Sequence, residues 1–318
     1  MTARRTLVTG AAGFVGANLV RRLLADGDDV IAPVRPESDQ WRLHELAGHV
    51  DNVHADLRDR DAVRRLVVEA RPEIIFHLAA HGAYSWQTNR RDMFETNVLS
   101  LVNLLDCALE CGTETLVNAG SSSEYGFADH PPAESELPVP NSDYAVSKLA
   151  ATFLTGHVGR STSLRTASVR LYSVYGPFED PRRLIPTLIA NGLRGRLPPL
   201  ANPATARDFV FVDDAVEALI AASGVPESSP GAVYNVGSGR QTSIEELVAL
   251  ARDLFGISEP PAWGTLGDRS WDTDVWVADP SRIRSELGWE AHVSLRDGIR
   301  TTADWMEGSG TREIYGVG

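Results

Sequence analysis

The chain has 318 residues, 43% hydrophobic and 23% charged, which describes a globule able to bury a full core and excludes disordered and fibrous classes. Its formal net charge of −13 argues against a nucleic-acid or anionic-membrane surface but leaves room for a local basic pocket around a phosphorylated ligand. Cys107 and Cys111, four apart in an apolar helical pattern, read as buried thiols in a reducing compartment, and no metal site is expected. The first residues run straight into a strand and no apolar run reaches about 18 residues, so the chain reads as cytoplasmic, with no membrane or nucleic-acid partner.

Thr6 to Thr9 is a short apolar strand, followed by Gly10-Ala11-Ala12-Gly13-Phe14-Val15-Gly16 and an amphipathic run from Ala17 to Asp26. Glycines at this spacing allow a tight turn and let backbone approach a pyrophosphate, whose charge meets a helix N-terminus. The turn therefore points to a dinucleotide, held by Gly10, Ala12, Gly13, Phe14, Val15 and Gly16. A second strand, Asp29 to Val34, ends in Arg35, where a cofactor with a free ribose 2′-hydroxyl usually finds an acidic residue. Arginine there suits a 2′-phosphate and favours NADP; alternatively Arg35 points to solvent and NAD is held by its other contacts.

A third strand is expected over Val50 to Ala55, with Asp56 and Leu57 placed to border the adenine. Asp59 then starts a helix through Ala70, and Glu73 to Leu78 is a fourth strand. Leu78, Ala79 and Ala80 bring small residues to its end, where a cofactor can lie close. The polar stretch from His81 to Arg91 reads as a substrate loop, with His81 either a substrate contact or an ordinary loop histidine. One long helix is expected from Asp92 to Cys111, its apolar stripe broken by Asn97, which is expected to bridge by water to a lysine further on.

The fifth strand, Thr115 to Ala119, runs into Gly120-Ser121-Ser122-Ser123-Glu124-Tyr125-Gly126, and hydroxyls at a strand's carboxyl end in an open α/β sheet face the ligand crevice. Asn141, Ser142 and Asp143 supply capping oxygens for a helix that opens Tyr144-Ala145-Val146-Ser147-Lys148. Tyrosine and lysine four apart share a helix face, and a nearby ammonium lowers a phenol's pKa towards use as acid or base at a carbonyl or hydroxyl. A sixth strand covers Arg165 to Leu171, and alternation of strand and helix throughout indicates a doubly wound parallel sheet. Beyond it come a short helix within Pro181 to Leu200, a strand from Arg207, a helix from Ala215, and a strand from Val233 to Val236. A helix with a capping box at Ser243 and Glu246 follows, then two helices flanking Gly288 and Trp289.

In this order and spacing the motifs resemble the extended short-chain dehydrogenases/reductases that act on nucleotide sugars, over nearly the whole length. The resemblance rests on the glycine turn, Asp56-Leu57, His77-Leu78-Ala79-Ala80, Ser121 ahead of Tyr125-Gly126, and Tyr144 with Lys148. It continues through Arg170-Leu171-Tyr172-Ser173-Val174-Tyr175-Gly176-Pro177, the run from Arg207 to Asp214, and Tyr234 to Gly239. It implies a Rossmann-type α/β fold in which residues 1–175 and the returning segment 207–238 hold the dinucleotide. Residues 176–206 and 239–318 would form a smaller α/β substrate lobe. It also implies a Ser-Tyr-Lys site: Tyr144 moves the proton, Lys148 binds the nicotinamide ribose, and Ser121 holds the sugar oxygen, with Ser122 the next hydroxyl to test. Asn97, Ala119, Tyr172 and Val174 join the expected cofactor contacts. His81, Ser123, Ser173, Arg207, Arg269 and Asp272 are the expected nucleotide-sugar contacts, the arginines suiting a diphosphate. Dimerisation through the Asp92–Cys111 and Tyr144–Gly156 helices is a further expectation of the resemblance.

Departures from the family pattern narrow the reaction. The places that carry acidic residues in similar 4,6-dehydratases are Ser122 and Ser123 here, and a strand through Glu124 would turn that carboxylate to the other face. Ser173 stands where asparagine is common. Arg35 favours an NADPH-dependent reductase of a nucleotide-bound 4-keto sugar over a redox-neutral 4-epimerase that recycles NAD. A non-catalytic dinucleotide sensor is argued against by the intact Ser121, Tyr144 and Lys148 set.

Overall fold

The structure, a computed structural model, describes residues 3–266, 273, 275–308 and 310–317. Strands β1 (Arg5–Thr9), β2 (Asp29–Val34), β3 (Asp51–His54), β4 (Ile74–His77), β5 (Thr115–Ser121) and β6 (Arg165–Leu171) alternate with helices along the chain. The helices are α1 (Phe14–Ala25), α2 (Arg60–Ala70), α3 (Arg90–Phe94), α4 (Ser100–Cys111) and α5 (Asp143–Ser161). Further on lie β7 (Ser173–Tyr175), α6 (Leu184–Gly192), β8 (Ala206–Phe211), α7 (Val212–Ser223), β9 (Ala232–Val236), β10 (Gln241–Ser243) and α8 (Ile244–Phe255). The last long helices are α9 (Ser281–Leu287) and α10 (Leu295–Glu307).

The large sheet has seven strands in the order β3-β2-β1-β4-β5-β6-β9, every pair parallel, which is the doubly wound arrangement expected. Its order reverses between β1 and β4, so the carboxyl ends of these neighbouring strands flank the crevice where ligands bind in such sheets. Apolar side chains cover both faces: α1 and α7 pack one side, α2, α4 and α5 the other. Of the returning segment, α7 and β9 complete this layered unit, whereas β8 pairs with β7 and β10 in a separate three-stranded sheet. A distinct apolar core gathers α6, α8 and α10 around Tyr175 and Phe211.

The helix expected from Asp92 to Cys111 starts earlier, capped by the Asn89 side chain, and contains a π-helical turn over Glu95–Leu99. The extra residue of that turn faces Asn97 inward, where it is buried. The fifth strand extends two residues further than expected, to Ser121, and Ser122–Tyr125 then forms a 3-10 turn in place of a continuing strand. The capping box at Ser243 and Glu246 is formed as expected.

Helix α5 lies unusually close to the sheet because its inner face is small or polar: Ser147, Ala151, Thr152, Thr155, Gly156 and Gly159 are all buried. A Cβ on Gly159 would stand 2.2 Å from Thr166 Oγ1 and 2.7 Å from Gly231 N, and Thr166 Oγ1 itself donates to Thr155 O at 2.8 Å. Gly159→Ala is therefore expected to force α5 off β6 and cost about 1–3 kcal/mol, the range for overpacking a tight interior. Urea denaturation of the variant checks it, and unchanged stability would contradict this account of the contact.

Candidate active site

The glycine turn closes on itself and on the end of β4. Gly13 N donates to Gly10 O at 2.9 Å, and Gly10 takes φ +71°, a left-handed conformation that glycine adopts without strain. A Cβ on Gly10 would lie 2.6 Å from Ala79 N, and one on Gly16 would lie 2.2 Å from Gly10 O, so neither position admits a side chain. Thr9 stitches the two strands: its hydroxyl bonds His77 Nδ1 at 2.8 Å and accepts from Ala79 N at 3.3 Å. Gly10, Ala12, Leu78, Ala79 and Ala80 are thus gathered at the sheet's switch point, as the spacing implied. Gly13 caps α1 without any side-chain bond, leaving the first-turn N–H groups of Phe14, Val15 and Gly16 for an external acceptor. A Cβ on Gly13 would touch only Gly10 O, at 3.0 Å, so the surface above the turn is bare backbone that fits a pyrophosphate.

Further out, Arg35 is half-exposed and pairs with Glu37 at 3.5 Å. Asp56 is held by Arg58 at 2.6 Å, which together with the neighbouring Arg35 keeps its carboxyl below the usual range. Leu57 anchors the other side through Asn103, whose amide donates to Leu57 O at 3.0 Å. Arg42, which the sequence did not single out, reaches the glycine turn from a 3-10 helix over Trp41–Leu46. Its Nε donates to Phe178 O at 2.7 Å and its Nη1 to Ala12 O at 3.4 Å.

At the end of β5, Ser121 Oγ donates to Ser123 Oγ at 3.0 Å, and the Ser121 hydroxyl is near enough to the Tyr144 phenol to ease its ionisation. Lys148 is buried and its Nζ donates to Ala119 O. Ser121, Ser123, Tyr144, Lys148 and Ala119 are therefore one cluster, with Ser122 buried in the turn beside them. The expected lowering of the phenol by Lys148 is not what this arrangement gives. Burial pushes Tyr144 up to about 12; the Ser121 hydroxyl and Arg183 oppose the rise and Glu124 adds to it. Burial likewise lowers Lys148 to about 8, opposed by the charge of Glu124. The physical reason is that desolvation disfavours both charged forms, and the amine is turned to the Ala119 carbonyl. His77, beneath them, is held neutral down to about 3 by burial and by Lys148.

The Asn97 side chain is taken up by His81 and Ser147. Its Nδ2 donates to His81 O and to Ser147 Oγ, each at 2.8 Å, and its Oδ1 accepts from His81 N at 2.8 Å, pinning the start of the loop after β4 to α5. His81 is held through its backbone by these bonds. Tyr172, Ser173 and Val174 lie where the chain crosses from the large sheet to the small one. Arg207, on β8, stacks over Trp276 at 5.5 Å, on the small-sheet side of the cleft. Arg269 and Asp272 lie outside the described residues.

The sequence reading placed Glu124 on a strand face; the 3-10 turn buries it completely, against Arg170 at 2.8 Å. The missed signal was Arg170 itself, a charge near the end of a strand that a doubly wound parallel sheet buries on both faces, which requires a buried anion nearby. Among the described residues, no group of three or more His, Cys, Asp or Glu is placed to hold a metal, and no helix is long and apolar enough to cross a membrane.

Residues 6–237 match the model of the NAD dependent epimerase/dehydratase family. The chain is 34% identical to a UDP-glucose 4-epimerase of Mycolicibacterium smegmatis, covering 95% of this chain and 98% of that one. It is 30% identical to a dTDP-glucose 4,6-dehydratase of Streptomyces antibioticus, covering 94% and 91%. Among solved structures, MoeE5 in complex with UDP-glucose and NAD superposes with a TM-score of 0.83 at 33% identity, over 95% of this chain and 98% of that one.

The displaced pKa of Lys148 carries a stability consequence. Below about pH 8 the amine is protonated in both folded and unfolded chains, and the fold bears the whole cost of the buried charge. Above the ordinary lysine value neither state is charged and the cost disappears. Lys148→Met is expected to raise stability by about 2 kcal/mol at neutral pH, with the gain fading as pH rises towards about 10. Denaturation midpoints of wild type and variant across that range check it.

Proposed function

The chain belongs to the NAD-dependent epimerase/dehydratase family of extended short-chain dehydrogenases/reductases, and we propose that within it this protein is a redox-neutral nucleotide-sugar 4-epimerase using NAD. The observation that carries the reading is the convergence of Ser121, Tyr144 and Lys148 at the carboxyl end of β5, while Glu124, the carboxylate of that turn, is consumed. Its oxygens accept from Ser121 N at 2.8 Å, Thr152 Oγ1 at 3.0 Å and Arg170 Nε at 2.8 Å. A 4,6-dehydratase needs an acid to expel water, and that acid is missing at Ser122 and Ser123. The relatives support the epimerase over the NADPH-dependent reduction that Arg35 favoured: MoeE5 is complexed with UDP-glucose and NAD, and Arg35 here is already paired with Glu37.

The glycine turn and the α1 N-terminus would hold the pyrophosphate of the cofactor, with Asp56 and Leu57 at its adenosine end and Lys148 at its nicotinamide ribose. Bound there, NAD supplies a reversible acceptor for the hydride of sugar C4. Tyr144 takes the O4 proton as that carbon is oxidised and returns it when the ketone is reduced on its opposite face, so the net reaction inverts C4 and consumes nothing. Ser121 donates to the same oxygen and fixes it over the phenol. Residues 1–175 with 207–238 serve the dinucleotide and 176–206 with 239–318 the nucleotide sugar, which Arg207, Ser173 and the loop from His81 would also meet from the first of these units. The exposed apolar residues Val146 and Phe153, two turns apart on α5, and Leu99 in the adjoining helix support a homodimer through that face.

Incubation with UDP-glucose is expected to yield the C4 epimer with no net reduced cofactor, and mass spectrometry of the native protein is expected to release NAD. Tyr144→Phe is expected to lower kcat by about 10²–10⁴-fold, the usual contribution of a positioned acid-base group. Stoichiometric NADPH consumption with a 4-keto sugar would replace the epimerase by the reductase.

A further inference from the structure

Glu124 enters the reading above only as a carboxylate that is not available to expel water, yet its surroundings are built to keep a charge at one place. Gly120 makes room for it: a Cβ there would stand 2.8 Å from Glu124 Oε1. Oε1 accepts from the Ser121 N–H at 2.8 Å and from Thr152 Oγ1 of α5 at 3.0 Å, and Oε2 accepts from Arg170 Nε of β6 at 2.8 Å. Arg170 Nη1 continues to the Tyr125 hydroxyl at 2.6 Å, which donates to Asn235 Oδ1 of β9 at 2.8 Å. The elements that end at the site, β5, α5, β6 and β9, are thus tied through one buried polar chain that starts at the Ser121 turn.

We propose that Glu124 is the positioning residue of the Ser121, Tyr144 and Lys148 site, a fixed buried anion that locks the Ser121 turn against α5 and β6. The inference rests on the catalytic reading of those three residues. A glutamine keeps one acceptor oxygen but puts an NH2 donor where the second oxygen stands, so the paired Arg170→Gln change is needed to relieve that clash, and what both glutamine variants lose in common is the charge that acts across to Lys148 on α5. The groups facing Lys148 are His77 from β4, which burial keeps neutral, and Glu124 from the turn, whose charge alone among the described residues favours the ammonium. Tyr144 faces Ser121 and Glu124 from the turn and Arg183 from the segment before α6. Glu124 faces Arg170 from β6, with Tyr125 beyond it. In a low-dielectric site, removing the one anion that acts on a buried amine lets it shed its proton at lower pH.

The test compares wild type, Glu124→Gln, Glu124→Asp and the double variant Glu124→Gln with Arg170→Gln, which leaves no unpaired guanidinium if the single change fails to fold. The kcat and KM for UDP-glucose are followed against pH, and NAD binding is followed separately by fluorescence. In wild type the alkaline limb of kcat is expected near the Lys148 value of about 8. It is expected to fall by about one pH unit in both glutamine variants, with KM unchanged, and to stay in place in Glu124→Asp. The pH dependence of NAD binding is expected to shift by the same amount. Folded glutamine variants that keep the wild-type limb in both measurements would overturn the proposal. A wild type inactive on every nucleotide sugar would instead count against the epimerase reading, and the binding profile would then decide the role of Glu124 alone.

Discussion

Helix α5 can carry chemistry only because it lies almost against the strands beneath it. Its inward positions are Ser147, Ala151, Thr155, Gly156 and Gly159, not the leucines and valines that usually space a helix from a sheet. That close approach lets Lys148 reach Ala119 O at the end of β5 and lets Tyr144 meet Ser121 from the next turn. The outward face pays no part in this contact and is where Val146 and Phe153 are left exposed. Packing geometry, not any special property of the tyrosine, brings the three residues together.

The same burial sets the electrostatics. Phenol, amine and imidazole are each driven towards their neutral forms, Tyr144 to about 12, Lys148 to about 8 and His77 to about 3. Isolated charges in such a region are costly, so those that persist are matched: Glu124 meets Arg170, and the Arg170 fork is completed by Tyr125. A site assembled in this way trades stability for function, since the ammonium that would hold the cofactor is one the fold disfavours.

This frame also separates reactions within the family. A dehydratase and an epimerase share the glycine turn, the hydroxyl-bearing strand end and the tyrosine-lysine pair; they differ in whether a carboxylate near the strand end is free to move a proton. Here the carboxylate is folded under the turn by a change from strand to 3-10 geometry, and three donors occupy it. A single residue's shift in the turn therefore bears on which chemistry the fold supports.

Legible in the sequence were the alternation of strands and helices up to Leu171, the glycine turn after the first strand and the placing of Tyr144 and Lys148 on one helix, because those features are local: glycine spacing, capping oxygens and helical periodicity act within a few residues. Ser121 as the partner hydroxyl came from the family resemblance, since the strand end by itself offered a run of hydroxyls without choosing among them. What the tertiary structure decided was everything that depends on which residues meet across the fold. Asn97 reads as an anomaly in a helix until a π-helical turn brings it to His81 and Ser147. Glu124 and Arg170, 46 positions apart, show their pairing only once β5 and β6 lie side by side. The sign of the Tyr144 shift was misjudged for the same reason: a neighbouring charge can be read from spacing, whereas desolvation depends on how much of the chain closes over the group.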